Sequence, residues 1–142
     1  MCEYCGCRRI PEIARLGREH ETITELADEA DANCSDVRAR NEALRNLRLA
    51  LIPHARREEQ GVFAQARDAD LTRYYIEDLE EDHRQFASAL DSVESLDEAT
   101  LDTLLKDLDR HIVIEEYDLF PAAAKHLSDK QWAGIEQTNV EP

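Results

Sequence analysis

One ten-residue string occurs twice in this chain, and it limits the folds open to it more than any other feature. Residues 54–63 read His54-Ala-Arg-Arg-Glu58-Glu59-Gln-Gly-Val62-Phe63, and residues 111–120 read His111-Ile-Val-Ile-Glu115-Glu116-Tyr-Asp-Leu119-Phe120. Both are H-x-x-x-E-E-x-x-aliphatic-Phe. On an α-helix, positions i and i+4 lie about 40° apart around the axis, so His54 with Glu58, and His111 with Glu115, project side by side from one face. Glu59 and Glu116 point away from that face and read as solvated groups or as supporting partners. His20 and His83 each follow an acid, Glu19 and Asp82, on the helices that precede the strings, and these two acids read as supporting partners of the site. The chain is thus a pseudo-repeat of two helix pairs, each giving His, then His-x-x-x-Glu.

The rest of the sequence supplies those helices. Only four Gly and four Pro occur in 142 residues, and Ala, Leu, Glu and Arg are abundant, a composition that favours helix throughout. A first helix is predicted from Pro11, with Ile13, Leu16, His20, Ile23, Ala27 and Ala30 on one face. Asn33 and Ser35 end it and can cap the next element. A second runs from about Asp36 to Ala66 through Leu44, Leu47, Leu51, His54 and Glu58, with Pro53 predicting a kink or a loosened turn just before His54. A third covers about Asp70 to Val93 through Leu71, Tyr75, Leu79, His83, Phe86 and Leu90. After a loop at 94–97, with Asp97 as N-cap, a fourth runs from Glu98 to about Lys125 through Leu101, Leu104, Leu108, His111 and Glu115. Pro121 is expected to bend its last turns. Ser128 with Gln131 reads as a capping box for a short final helix that lays Trp132 and Ile135 on the others.

No Pro/Gly-rich linker divides the chain. The expected architecture is all-α: an up-down-up-down four-helix bundle with a short C-terminal helix over residues 11–142, behind a cysteine-containing tail at 1–10. At ~1.5 Å per residue, alternating helix directions bring His20, Glu58, His83 and Glu115 to within about two turns of one level. The six side chains His20, His54, Glu58, His83, His111 and Glu115 can therefore meet. His126 lies outside the pattern and reads as a surface residue at a helix C-terminus.

Charge and composition exclude several functions. A net charge of −15 leaves no basic face for nucleic acid or for an anionic membrane. The longest apolar run is Leu49-Ala50-Leu51-Ile52, too short to span a bilayer. No apolar stretch follows Arg8 and Arg9, so a cytoplasmic protein with reduced thiols is expected. Cys2, Cys5 and Cys7 suit a soft metal or a redox disulfide, or are reduced thiols in a loose tail. Cys34 is not expected to join them, because the first helix carries it about 30 Å from Pro11.

Imidazole nitrogen with carboxylate oxygen suits first-row transition metals, and two carboxylates converging between helices can bridge two ions. The competing reading is a set of hydrogen-bonded core groups. In the pattern H…HxxxE…H…HxxxE, carried by His20, His54-Ala-Arg-Arg-Glu58, His83 and His111-Ile-Val-Ile-Glu115, the chain resembles the hemerythrin-like (HHE cation-binding) family over about residues 11–127. The resemblance implies two iron ions, oxo- or hydroxo-bridged, with histidines as terminal ligands and Glu58 and Glu115 bridging. It also implies small-molecule partners: O₂, hydrogen peroxide or nitric oxide, bound or turned over. The alternative is a non-enzymatic iron- or oxygen-sensing or iron-binding module. Oxygen-carrying members place a histidine one turn before the third-helix histidine, where this chain has Leu79. That departure implies an exchangeable position on one iron. Tyr75, two turns before His83, reads as a core aromatic.

Overall fold

The computed structural model describes residues 9–71, 73 and 76–140, and the side chains of all of these except 139 and 140. Cys2, Cys5, Cys7 and Tyr75 lie outside the described residues. Helix α1 spans Pro11–Ala32, α2 Val37–Gln60, α3 Val62–Asp68, α4 Ile76–Leu90, α5 Glu98–Ile114, α6 Phe120–His126 and α7 Asp129–Val140. A 3₁₀ turn at Val93–Ser95 precedes α5, and a π-helical turn at Glu115–Leu119 joins α5 to α6. No strand occurs among the described residues. None of their helices is long and apolar enough to cross a membrane.

Local chemistry sets most of these boundaries. Pro11 opens α1, where its missing N–H costs nothing. Asp36 caps α2 by accepting from the Ala39 N–H at 3.2 Å, and Asp97 caps α5 by accepting from the Thr100 N–H at 2.7 Å. The expected box at the start of α7 forms reciprocally, Ser128 N–H to Gln131 Oε1 at 2.8 Å and Gln131 N–H to Ser128 Oγ at 3.2 Å.

The long helices pack in sequence, α1 on α2, α2 on α4, α4 on α5, and α5 returns to α1, which closes a four-helix bundle. α7 crosses α1 and α2, burying Trp132 and Ile135. The core has two apolar ends. One gathers Ile13, Leu16, Phe63, Ile76, Leu79 and Phe120, and the other Ile23, Leu44, Leu51, Phe86, Leu101 and Leu108. On every long helix the proposed metal-binding residues fall between the two, so a polar layer is sealed above and below by hydrocarbon.

Three helix boundaries differ from the sequence expectation. Pro53 does not end α2, which runs through it to Gln60. Proline at 53 strips the Leu49 carbonyl of its helical donor, and Leu49 is 70% exposed, on a face where water can replace it. The break comes instead at Gly61. The helix following it ends in a Schellman motif, with Leu71 N–H on the Ala66 carbonyl at 2.8 Å and Asp70 N–H on Arg67 at 3.0 Å. Asp70 takes the left-handed position (φ 59°), which aspartate tolerates better than most residues. It therefore terminates one helix rather than starting the next, and α4 begins at Ile76. On the fourth helix, the irregularity ahead of Pro121 is the π turn at Glu115–Leu119.

Gly61 aligns in the duplicated string with Asp118, inside the π turn, so both copies depart from regular α-helix at the same place. A Cβ at Gly61 would stand 2.8 Å from the Arg57 carbonyl oxygen and 3.1 Å from Ile135 Cγ2. Backbone cannot yield as a flexible side chain can. Gly61→Ala is expected to destabilise the fold by about 1–3 kcal/mol, read by urea denaturation. Gly134→Ala, with nothing within 4 Å of its new methyl, serves as the control and should not lose stability.

Candidate metal centre

The structure brings all six predicted side chains into the polar layer. His20, His54, His83 and His111 are buried, and Glu58 and Glu115 are 0% exposed. Their placement follows from helical register: His54 and Glu58 are one turn apart on α2, while His111 ends α5 and Glu115 opens the π turn. His20 Nε2 lies 3.4 Å from Glu58 and 3.1 Å from Glu115, and His54 Nε2 lies 3.2 Å from Glu58. His83 Nε2 lies 3.1 Å from Glu58, and His111 Nε2 3.2 Å from Glu115.

The donors sort into two sets of four. His20, His54, Glu58 and Glu115 form one, and Glu58, His83, His111 and Glu115 the other, each with ligand atoms within 4.8 Å of one another. Both carboxylates belong to both sets. Nε2 of His20, His83 and His111, and all four oxygens of Glu58 and Glu115, are buried without a hydrogen-bond partner. Buried polar atoms are ordinarily satisfied. A cluster of orphaned nitrogen and oxygen donors aimed at common points fits first-row metal ions rather than a closed hydrogen-bond network.

The opposite ring nitrogens are engaged by the four acids named from the sequence, and the structure adds which histidine each one meets. His20 Nδ1 meets Glu116 at 2.9 Å, His54 Nδ1 meets Glu19 at 2.8 Å, His83 Nδ1 meets Glu59 at 3.3 Å and His111 Nδ1 meets Asp82 at 3.0 Å. Each imidazole is held by a carboxylate on the preceding helix around the bundle. A proton on Nδ1, donated to that carboxylate, leaves Nε2 as the free lone pair facing the layer. Of the two options for Glu59 and Glu116, the supporting one is what the structure shows. Two aromatics complete the alignment: Phe120 stacks on His20 at 5.8 Å and Phe63 on His83 at 5.5 Å.

Leu79 lies on the His83 side of the layer. It is buried in the apolar end one turn before His83, and Leu16 takes the same place one turn before His20. Each donor set holds two imidazoles and two carboxylates. His126 is exposed at the end of α6, as expected, and Cys34 is exposed and remote from the layer.

His54 and His111 each have a carboxylate beside both ring nitrogens. Burial works against a charged His54, but the Glu58 charge and the bond to Glu19 overcome it and lift the imidazole to about 9. His111 is lifted to about 10 in the same way, burial opposing and Glu115 and Asp82 prevailing. Burial alone would raise Glu58, yet the surrounding imidazoles hold its carboxyl well below the usual range. These raised histidines stabilise the metal-free fold fully below their ordinary value near 6.5, and that contribution is lost as pH rises through about 9 to 10. Metal must displace the same protons. Uptake of Zn²⁺ by the stripped chain at pH 7 is expected to release protons, and its affinity to climb with pH up to that window. Calorimetry in buffers of different ionisation enthalpy measures the release; uptake without proton release would contradict it.

Comparison with known proteins agrees with this geometry. A family model described as Hemerythrin HHE cation binding domain matches residues 12–123, a span that contains the whole polar layer. No match was found among curated proteins or among solved structures.

Proposed function

We propose that this chain, which belongs to the hemerythrin HHE cation-binding family, holds two iron ions in its polar layer and reacts there with O₂, hydrogen peroxide or nitric oxide. The ligands in this reading are His20 and His54 on one side and His83 and His111 on the other, with Glu58 and Glu115 shared. The observation that carries it is the pair of four-donor sets built around two common, fully buried carboxylates. Paired iron ions in such a site supply electrons to small oxidants and ligands. The protein's own part is arrangement. Glu116, Glu19, Glu59 and Asp82 fix the tautomer and tilt of the four rings, and the flanking apolar ends exclude water from the layer.

Expression with ample iron, followed by metal analysis and optical spectra, tests the reading. Two irons per chain, near-UV absorption after oxidation and rapid consumption of added peroxide are expected. One iron or none would remove the paired centre. Two irons with peroxide untouched would favour the iron- or oxygen-sensing module instead.

A further inference from the structure

We propose that the groove between α2 and α4 is the port by which small uncharged molecules reach the polar layer, with Ala55 and Ala87 as its size filter. The inference rests on the reading of the layer as a reactive centre and adds where its reactants arrive. The groove encloses about 420 Å³, and Leu51, Ala55, Ala87 and His83 are among the residues that line it.

The internal repeat provides the comparison that makes this specific. The matching face, between α1 and α5, carries a groove of about 300 Å³ that includes Thr24 and Ile112 but none of the six donors. In the duplicated string Ile112 stands where Ala55 does, and Thr24 follows His20 at the spacing at which Ala87 follows His83. Larger side chains thus replace both alanines on the face that fails to reach a histidine. The supporting carboxylates differ in the same sense. The Glu59 side chain is 34% exposed and reaches His83 at 3.3 Å, whereas that of Glu116 is 9% exposed and reaches His20 at 2.9 Å. The lining combines the hydrocarbon of Leu51, Ala55 and Ala87 with charges of both signs, Arg56 and Arg84 beside Glu59. Such a passage rewards small size and lack of charge, as in O₂, hydrogen peroxide or nitric oxide, and offers no single-sign field to collect an ion.

Dissolved O₂ under pressure, used as a paramagnetic relaxation probe, tests this in the chain stripped of iron and loaded with Zn²⁺. The ring protons of His83 are expected to relax faster than those of His20. Ala55→Ile or Ala87→Thr should reduce the His83 effect to the His20 level. Should neither variant give a native amide spectrum, Ile112→Ala provides the converse, raising the His20 effect toward that of His83. Equal effects at the two rings in the unmodified chain would overturn the port, as would insensitivity of either ring to these substitutions. Absence of iron chemistry would leave the measurement intact, because O₂ serves here only as a probe.

Discussion

Replacing Glu58 or Glu115 with alanine is expected to empty both sides of the layer, whereas replacing one histidine weakens chiefly its own side. Each carboxylate belongs to both donor sets, so its loss leaves two imidazoles and one shared carboxylate per ion. The metal-free fold should suffer as well. Glu58 lies within 3.4 Å of three imidazole nitrogens, and removing one partner of a buried charge pair costs about 3–5 kcal/mol at neutral pH. The two readouts are metal content after iron-replete expression and denaturant unfolding of the stripped chain. Glu58→Ala retaining one tightly bound ion would show that the carboxylates are not shared. In Glu58→Ala the charge that lifts His54 is gone, so the imidazole should titrate below its present value of about 9.

The second large effect is expected from the aromatics behind the histidines. Phe63 and Phe120 are fully buried and lie nearly parallel to His83 and His20, with interplanar angles of 4° and 2°. Phe63→Ala or Phe120→Ala removes a large side chain from a sealed core, at a cost of about 3–5 kcal/mol. It also removes the surface that sets the ring plane, so metal affinity should fall even under conditions where the variant is fully folded. Leu44→Ala, in the apolar end on the other side of the layer, separates the two effects. It should lose about 2–5 kcal/mol and keep the affinity of the folded chain. Equal affinity in Phe63→Ala and Leu44→Ala would mean that the stacking carries no positional role.

The legible part of this protein lay in local periodicity. The buried positions of α1 were readable from Ile13 to Ala30, because a helix facing one core repeats its apolar residues every three to four positions. His54 with Glu58, and His111 with Glu115, were readable for the same reason. Caps at Asp97 and Ser128 act within a single turn and declare themselves in three or four letters. Asp70 misled because a local preference has two outcomes. Aspartate favours the cap before a helix, but it also tolerates the left-handed position that ends one.

What the sequence by itself determined is therefore the set of helices, the face each turns inward and the repeat that places His and His-x-x-x-Glu twice. Only the tertiary structure decided how those faces engage. The bond from His20 to Glu116 joins residues 96 positions apart, and no spacing rule reaches that far. Glu59 and Glu116 point away from their own helix's metal-facing side, yet each meets an imidazole, because the neighbouring helix is rotated and set at the depth that presents Nδ1 to it. The even division into two donor sets has the same origin. It depends on the relative rotation and depth of four packed helices, quantities fixed by the two apolar ends of the core and by the backbone irregularities at Gly61 and at the π turn.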